Sequence, residues 1–529
     1  MSTLLARLNR PVVAILAVAV IAGGIRLYHL SHPTGFVFDE IYYPKAGCIL
    51  LGWSDKTCHV LSSDELYWRA NKWDVGSWVH PPLGKWTIAM GIKAFGMNEF
   101  GWRFMSAIAG TLVAVMVAGM AQVLFGRPLW TFLAGLLMAI EHLNVVMSRV
   151  GLLDVHLEFW VVLGFLCLLL DRRSIDRTTA AELESEEVAP AEAMTTAAVT
   201  VEAAGRGDTA VATATPPSRS AQVPSPLWRP WRFLAGVAFG ATCAVKWDGV
   251  TALAAAVFLS YLWETTRRHR EGVSRGRAFA RAFAMETFGL TLAFLVVPIA
   301  VYMAAWLPWF NHFGWSFSVW WKDQADMWRY HASLKEFALD TTTHKYTPTH
   351  PYYSRPWTWL PMLRPVSFYS QPSTGHQAEI VALGSPAIFW GSLWALPYMF
   401  FAWRRKLDWR AGFIIVAFLM QWLPWFAVKR PQFFFYVLPC TPFMVLAIVY
   451  LLRDLSGARL ILHDKATGEI AINPDTGQPA ISARRPYRWI VWAFVITAVA
   501  LFIWFWPVLT GGTLTETMWR ARLWFRGWI

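Results

Sequence analysis

Long apolar runs constrain this chain more than any other feature, because about 17–25 consecutive apolar residues are needed to cross a bilayer. Of its 529 residues, 56% are hydrophobic and only 15% are charged, which is too apolar for an ordinary soluble protein. We place apolar runs at residues 11–30, 104–125, 129–148, 150–170, 287–308, 381–401, 411–428, 433–452 and 489–509. The sequence therefore predicts an all-α polytopic membrane protein.

Residues 231–263 require a separate interpretation, because two shorter apolar halves flank the sequence KWDG at residues 246–249. Basic residues stand on both sides of this region, and basic flanks favour the cytoplasm. The region is then a hairpin with KWDG at its outer turn, which brings the total to about eleven transmembrane helices. The same rule places the N-terminus in the cytoplasm and the C-terminus outside.

The longer hydrophilic connections complete a single transmembrane domain over residues 1–529. Residues 31–103 and 309–380 form two long outer loops, and residues 454–483 form a cytoplasmic loop. Residues 174–226 are rich in Ala, Thr, Glu, Ser and Pro and contain no aromatic residue, which predicts a disordered cytoplasmic insert. The net charge of +13 suits cytoplasmic loops beside anionic lipid headgroups, and no motif indicates a nucleic-acid partner.

The stretch FVFDEIYYPK at residues 36–45 follows the first apolar run and contains the adjacent carboxylates Asp39 and Glu40. A carboxylate just outside a bilayer, among rings that exclude water, can have a raised pKa and act as a general base. The alternative is that Asp39 caps a short helix that begins at Glu40.

Further polar residues gather at the same predicted outer end. They are His80, Lys85, Arg103, Arg149, Asp154, Glu158, Lys246, Asp248, Lys429 and Arg430. Cations around a carboxylate suit a phosphate-bearing donor, because they hold the phosphate and stabilise it as a leaving group. Asp154 and Glu158 are four residues apart and share a helix face. An ion pair of Asp154 with Arg149 or Arg103 is the alternative.

A metal site is the competing interpretation of these acidic residues. Oxygen and imidazole ligands for Mg or Mn could come from Asp39, Glu40, His80, Asp154 and Glu158. No compact ligand spacing supports this, so we expect no required metal or cofactor. Cys48 and Cys58 share the first outer loop, and we expect them to form a disulfide if that loop faces an oxidising compartment.

Five motifs resemble those of the protein O-mannosyltransferases and occur in the same order. They are FDE at 38–40, HPPLGK at 80–85, NEFGWR at 98–103, LLDVHLEF at 152–159 and CAVKWDG at 243–249. The resemblance implies the GT-C glycosyltransferase fold. It also implies the actinobacterial activity, in which polyprenyl-phosphate-mannose is the donor and Ser/Thr residues of a secreted protein are the acceptor, at the outer face of the plasma membrane.

The resemblance also implies roles for individual residues. Asp39 would be the base and Glu40 its partner, while Arg103 and Lys246 would bind the donor phosphate. His80 and Lys85 belong to a family loop motif of unassigned role. The family inverts a β-linked mannosyl phosphate to an α-mannosyl product, for which one base and one in-line displacement suffice.

Two other functions compete with this one. The first is a GT-C mannosyl- or arabinosyltransferase that acts on a glycolipid or a cell-wall glycan. The second is a transporter of a lipid-linked sugar, which would be expected to show charges near the bilayer midplane and broken helices in paired halves. A link to the protein export channel would suit an unfolded acceptor, although no residue indicates it.

Overall fold

Helices occupy the apolar runs and account for most of the described chain, as the sequence predicts. The computed structural model describes residues 10–61, 79–176, 229–339, 346–457, 470–472 and 487–528. The helices are α1 (Pro11–Leu27), α2 (Tyr43–Leu50), α3 (Leu83–Phe95), α4 (Glu99–Phe125), α5 (Pro128–Ala139), α6 (His142–Met147), α7 (154–176), α8 (Pro230–Val245), α9 (Val250–Arg270), α10 (Arg275–Ala305), α11 (Leu307–Phe313), α12 (Phe317–Ser333), α13 (Pro386–Lys406), α14 (Trp409–Ala427), α15 (Phe434–Leu455), α16 (Arg488–Thr510) and α17 (Glu516–Arg520).

Several of these helices are suited to a bilayer by length and composition. In the described part of the chain, 5 helices, namely α4, α10, α14, α15 and α16, are long and apolar enough to cross a membrane. Only 28% of the apolar window of α10 and of α16 is buried within the protein, so much of their apolar surface faces outward, where lipid would cover it. The chain is a multi-pass membrane protein, and the count of about eleven spans stays a prediction.

The apolar run at 129–148 does not form the predicted uninterrupted helix, because a break separates α5 from α6. The buried Glu141 carboxylate lies in this break and accepts hydrogen bonds from the backbone N–H groups of Leu143, at 3.2 Å, and Asn144, at 2.6 Å. Arg26 of α1 donates to the carbonyl of Ala139, at 3.1 Å. These side chains satisfy the backbone groups that a break inside a membrane leaves exposed, so the run forms two helices rather than one.

Strands occur in the second outer loop, which the all-α prediction did not include. β1 (Phe337–Leu339) pairs antiparallel with β2 (Tyr346–Pro348). β3 (Val366–Ser373), β4 (His376–Ala382) and β5 (Thr513–Thr515) form an antiparallel sheet in that order. Gly375, at a φ of +72°, supplies the left-handed conformation that the tight β3–β4 turn requires. Because β5 follows α16, the end of α16 lies beside the second outer loop.

The first outer loop lies at this same end of the helix bundle. His32 of that loop contacts the carbonyl of Gly511 at 3.0 Å, directly after α16. A disulfide joins Cys48 of α2 to Cys58. α3 crosses α4 so closely that a Cβ at Gly91 would stand 2.4 Å from the carbonyl oxygen of Gly101. The two predicted outer loops and the C-terminal segment therefore share one end of the bundle.

An ion network joins the helices at the opposite end. Arg229, before α8, pairs with Asp171 of α7 and lies 3.3 Å from Glu264 of α9. Glu286 of α10 accepts from Arg232 at 2.8 Å. These contacts bring together the chain on either side of the predicted insert at 174–226.

Two predicted loops fall mainly outside the described residues. The insert at 174–226 is described only where residues 174–176 end α7, and the loop at 454–483 only at 454–457 and 470–472. Their disorder and their cytoplasmic position stay predictions.

Candidate active site

The Glu40–Arg103 pair forms the rigid base of the candidate site. Both side chains are fully buried. The two Glu40 oxygens accept two bonds from Arg103, each at 2.8 Å, and further bonds from the N–H groups of Gly151, at 2.7 Å, and Val37, at 2.8 Å. The carboxylate thereby ties the start of α4 and the segment before α7 to the short turn that carries Asp39.

Arg103 is not placed to act as the predicted phosphate ligand. Beyond Glu40, its guanidinium donates to three backbone carbonyls, those of Leu30, Pro33 and Gly35. These bonds use all five of its N–H donors, so none is left for a donor phosphate. The structure corrects the prediction that Arg103 binds the phosphate, because Arg103 instead positions the turn that carries Asp39 and Glu40.

Asp39 lies on the other side of the same turn and stays half-buried. The turn is a 3₁₀ helix that begins at Phe38, whose φ of +51° is strained for a side-chain-bearing residue. The Phe38 ring stacks on Phe368 at 4.3 Å. Among the described residues, no hydrogen-bond donor reaches the Asp39 carboxylate, so it does not serve as the helix cap that was the alternative interpretation.

Lys246 supplies a positive charge close to Asp39. Its Nζ donates to Asp154 at 2.8 Å and lies 5.4 Å from the ring centre of Tyr436. Burial lowers the pKa of Lys246, but the charges of Asp154 and Asp248 outweigh it and raise the pKa overall. Lys246 therefore stays protonated, and Asp154 pairs with it rather than with Arg149 or Arg103.

Arg430 supplies a second cation and hydrogen-bonds to His331, a residue that the sequence did not indicate. Its Nη1 lies 2.6 Å from Nδ1 of His331 in α12, and its Nη2 donates to the hydroxyl of Tyr436 at 3.3 Å. Nε2 of His331 contacts the carbonyl of Val79 at 2.8 Å, so Nε2 carries the proton and Nδ1 accepts. Burial and Arg430 lower the pKa of His331 to about 4, which keeps the ring neutral.

His80 and Lys85 lie beside this group. The His80 ring stacks on His331 at 5.2 Å, and Lys85 donates to the His80 carbonyl at 2.6 Å. Burial, then the charge of Lys246, lowers the pKa of His80 well below its usual value. A neutral His80 can accept or donate a hydrogen bond, but it is not a source of positive charge.

The environment of Asp39 favours a proton on its carboxyl group. Burial and the negative charge of Asp154 raise the pKa of Asp39 to about 7, against the opposing effect of Lys246. Burial also raises the pKa of Asp248, and Lys246 opposes that shift. The pKa of Asp39 is thus close to 7, which is the range in which a general base is most effective at neutral pH.

Three predicted residues lie elsewhere. Arg149 donates to carbonyls at the end of α1, for example to Tyr28 at 2.7 Å, and so closes that helix. Glu158 shares the helix face of Asp154, as predicted, but it accepts from Asn144 at 2.6 Å and from Thr441 in the bundle interior. Lys429 is exposed and lines a neighbouring cleft.

Sequence reasoning missed His331 and Tyr436. His331 lies on the buried side of α12, seven residues after Gln324 and four after Met327. This spacing could have indicated an inward-facing histidine in an otherwise aromatic helix. Tyr436 lies in the aromatic run QFFFY, whose members look equivalent in sequence, so no comparable signal existed for it.

The helical bundle that carries this site has the GT-C glycosyltransferase fold. The S. cerevisiae protein O-mannosyltransferase Pmt1–Pmt2 complex bound to the sugar donor contains a chain that aligns with a TM-score of 0.65 at 13% identity, over 98% of this chain and 92% of that one. The fold alone follows from that likeness.

Sequence comparisons agree with the fold. Residues 316–528 match the C-terminal four TMM region of protein-O-mannosyltransferase, and residues 16–180 match dolichyl-phosphate-mannose-protein mannosyltransferase. Two relatives are named polyprenol-phosphate-mannose–protein mannosyltransferase. That of Mycobacterium tuberculosis is 29% identical over 93% of this chain and 86% of its own, and that of Mycolicibacterium smegmatis is 28% identical over 97% and 92%. This chain belongs to the protein O-mannosyltransferase family.

Proposed function

We propose that this protein transfers mannose, with inversion, from polyprenyl-phosphate-mannose to Ser/Thr hydroxyls of exported proteins. The observation that carries the proposal is the half-buried Asp39 carboxylate, whose pKa is raised to about 7 beside the Lys246 cation. A proton acceptor and a phosphate-binding cation are the two groups that a single displacement at a mannosyl phosphate requires.

Each group has one task in this reaction. Asp39 takes the proton from the acceptor hydroxyl as its oxygen attacks the anomeric carbon. The bond from that carbon to the phosphate oxygen breaks on the opposite face, and the electron pair leaves with the polyprenyl phosphate. Lys246 and Arg430 stabilise the charge that develops on the phosphate, while Asp154 and Tyr436 orient them. Glu40 and Arg103 position Asp39.

The proposed setting is the outer face of the plasma membrane, with the N-terminus in the cytoplasm. The basic flanks of the apolar runs support this orientation. The donor's lipid tail would lie among the apolar helices, and the acceptor would arrive as an extended chain. A link to the export channel stays a prediction.

We propose that transfer requires no metal ion. Two of the five candidate ligands are unsuitable, because the oxygens of Glu40 and Glu158 already accept hydrogen bonds from protein groups. A third, Asp154, pairs with Lys246. Transfer should therefore proceed at an unchanged rate in excess EDTA. A loss of activity in EDTA that added Mg or Mn restores would refute this proposal.

The transfer rate should depend on pH through Asp39. Because the folded-state pKa is raised to about 7, the carboxyl is protonated and inactive below that pH. We expect kcat/KM to rise as the pH increases through about 7. Lys246→Met removes the charge that lowers this pKa, so the acid limb should move to higher pH.

The control for the pH profile is Arg526→Met, which removes an exposed cation at the same end of the bundle. Its acid limb should coincide with that of the wild type. An acid limb that stays in place in Lys246→Met would show that Lys246 does not act on the ionising group.

A competition assay between a peptide and a glycan acceptor distinguishes the candidate acceptor classes. Purified protein receives radiolabelled polyprenyl-phosphate-mannose with a Thr-containing peptide and a mannan oligosaccharide at equal concentration. We expect label in the peptide. Label in the oligosaccharide alone would favour the glycan-modifying alternative, and uptake of donor into vesicles without any product would favour a transporter.

A further inference from the structure

A second surface feature lies beside the site but takes no part in the reaction just described. It is a cleft of about 520 Å³, here called the Lys429 cleft, between the start of β1 and the end of α14. Its size lies within the range of about 300–1,000 Å³ that is usual for ligand sites. Its walls include the aromatic side chains of Trp357, Trp425 and Phe426 and the cations Lys335, Arg355 and Lys429.

Two short connections along the chain link the residues of the cleft to those of the site. Lys429 precedes Arg430, which holds His331 and Tyr436. Lys335 follows His331 by four residues, after the end of α12. A chain that presents one hydroxyl at Asp39 could therefore lay its neighbouring residues along this cleft, since each extended residue spans about 3.3–3.6 Å.

One buried group in the cleft has a hydrogen-bonding capacity that the described residues do not use. Gln432 is 1% exposed and lines the cleft. Its Nε2 donates to the carbonyls of Val428, at 2.8 Å, and Trp425, at 3.1 Å. These two carbonyls fix which end of the amide is the nitrogen. In the described part of the chain, Oε1 has no hydrogen-bond partner, although a buried acceptor normally has one.

The chemistry of the cleft suits an extended polypeptide. Oε1 of Gln432 can accept a backbone N–H, and the aromatic walls can pack against side chains. Within the described residues β1 pairs only with β2, so its other edge can bind an extended chain. The charge is predominantly positive, because Glu336 lies 3.9 Å from Arg355, and in the described part of the chain no carboxylate pairs with Lys335 or Lys429.

We infer that the Lys429 cleft binds the acceptor polypeptide beside its modified Ser/Thr and favours an acidic residue there. This inference rests on the proposed function and adds a substrate preference to it. The groups that select the acceptor are then separate from those that act on the donor.

Paired peptides test this inference with the full-length protein. Two peptides share one Thr and differ only in flanking residues, which are Asp in one and Lys in the other. The wild type should have a lower KM for the Asp peptide, by about two- to fivefold per charge contact. Lys429→Glu and Lys335→Glu should each abolish or reverse this preference, while the KM for the donor stays unchanged.

Arg526→Glu is the matched control, because it reverses an exposed charge outside the cleft and should keep the wild-type preference. Peptide transfer with the same KM ratio in the wild type and both cleft variants would overturn the inference and leave the proposed function intact. An equal change in Arg526→Glu would also overturn it, since a general surface effect would then explain the preference. If neither peptide receives mannose, the proposed function itself is contradicted.

Discussion

Replacing Asp39 with asparagine should lower the transfer rate by about 10²–10⁴-fold while the donor stays bound. Asparagine keeps the size of the side chain but has no basic oxygen to take the hydroxyl proton. Donor affinity should be unchanged or higher, because a negative charge near the phosphate is removed. The measurement is single-turnover transfer together with donor binding on the purified variant.

Asp248→Asn is the matched comparison, since Asp248 is also a half-buried carboxyl near Lys246 with a raised pKa. We expect a much smaller loss in that variant. A large loss in Asp248→Asn with near-normal transfer in Asp39→Asn would reverse the two assignments.

Thermal melting separates this effect from misfolding. The raised pKa of Asp39 means that the folded protein disfavours the charged form, so its stability declines as the pH rises from the ordinary carboxyl pKa of 3.8 to about 7 and is level above that. Asp39→Asn should therefore melt no lower than the wild type at pH 6 and higher at pH 8. A lower melting temperature at both values would mean that the kinetic loss reports damage to the fold.

Removing the Arg103 guanidinium should destabilise the protein, by about 3–5 kcal/mol. Arg103→Met leaves the Glu40 charge fully buried and loses the bonds to three backbone carbonyls. Arg103→Lys should recover only part of this stability, since an ammonium cannot reproduce the two-pronged contact with a carboxylate. The measurement is the melting temperature in detergent, with donor affinity determined on the folded fraction.

Arg526→Met, in which an exposed guanidinium is removed, is the control for Arg103→Met and should melt like the wild type. The double variant Glu40→Gln/Arg103→Met should be more stable than Arg103→Met, because no charge is then left unpaired in the interior. Normal melting with a selective loss of donor affinity in Arg103→Met would restore the phosphate-binding role predicted from the sequence.

Helix positions could be predicted because apolar length alone determines which segments can cross a bilayer. The run at 489–509 corresponds to Arg488–Thr510, and the run at 104–125 to Glu99–Phe125. The break after α5 escaped prediction because a single carboxylate, Glu141, scarcely changes the hydropathy of its run. Its effect depends on backbone groups that come close only in the folded chain.

The candidate site was predicted in part for a related reason. Sequence position indicates at which end of a helix a charge lies, so Asp39, Asp154, Lys246 and Asp248 were grouped correctly. Sequence position does not reveal how many N–H groups of an arginine side chain already donate to backbone carbonyls. Arg103 and Arg149 therefore looked as available as Lys246, although carbonyls at the end of α1 and beyond it hold both.

The anomeric configuration of the product tests the central claim most directly. Purified protein is incubated with β-linked polyprenyl-phosphate-mannose and a Thr-containing peptide, and the glycopeptide is examined by NMR. One displacement with Asp39 as the base predicts α-mannosyl threonine. A β-linked mannosyl threonine would contradict the account, because a single in-line displacement cannot retain the configuration of the anomeric carbon.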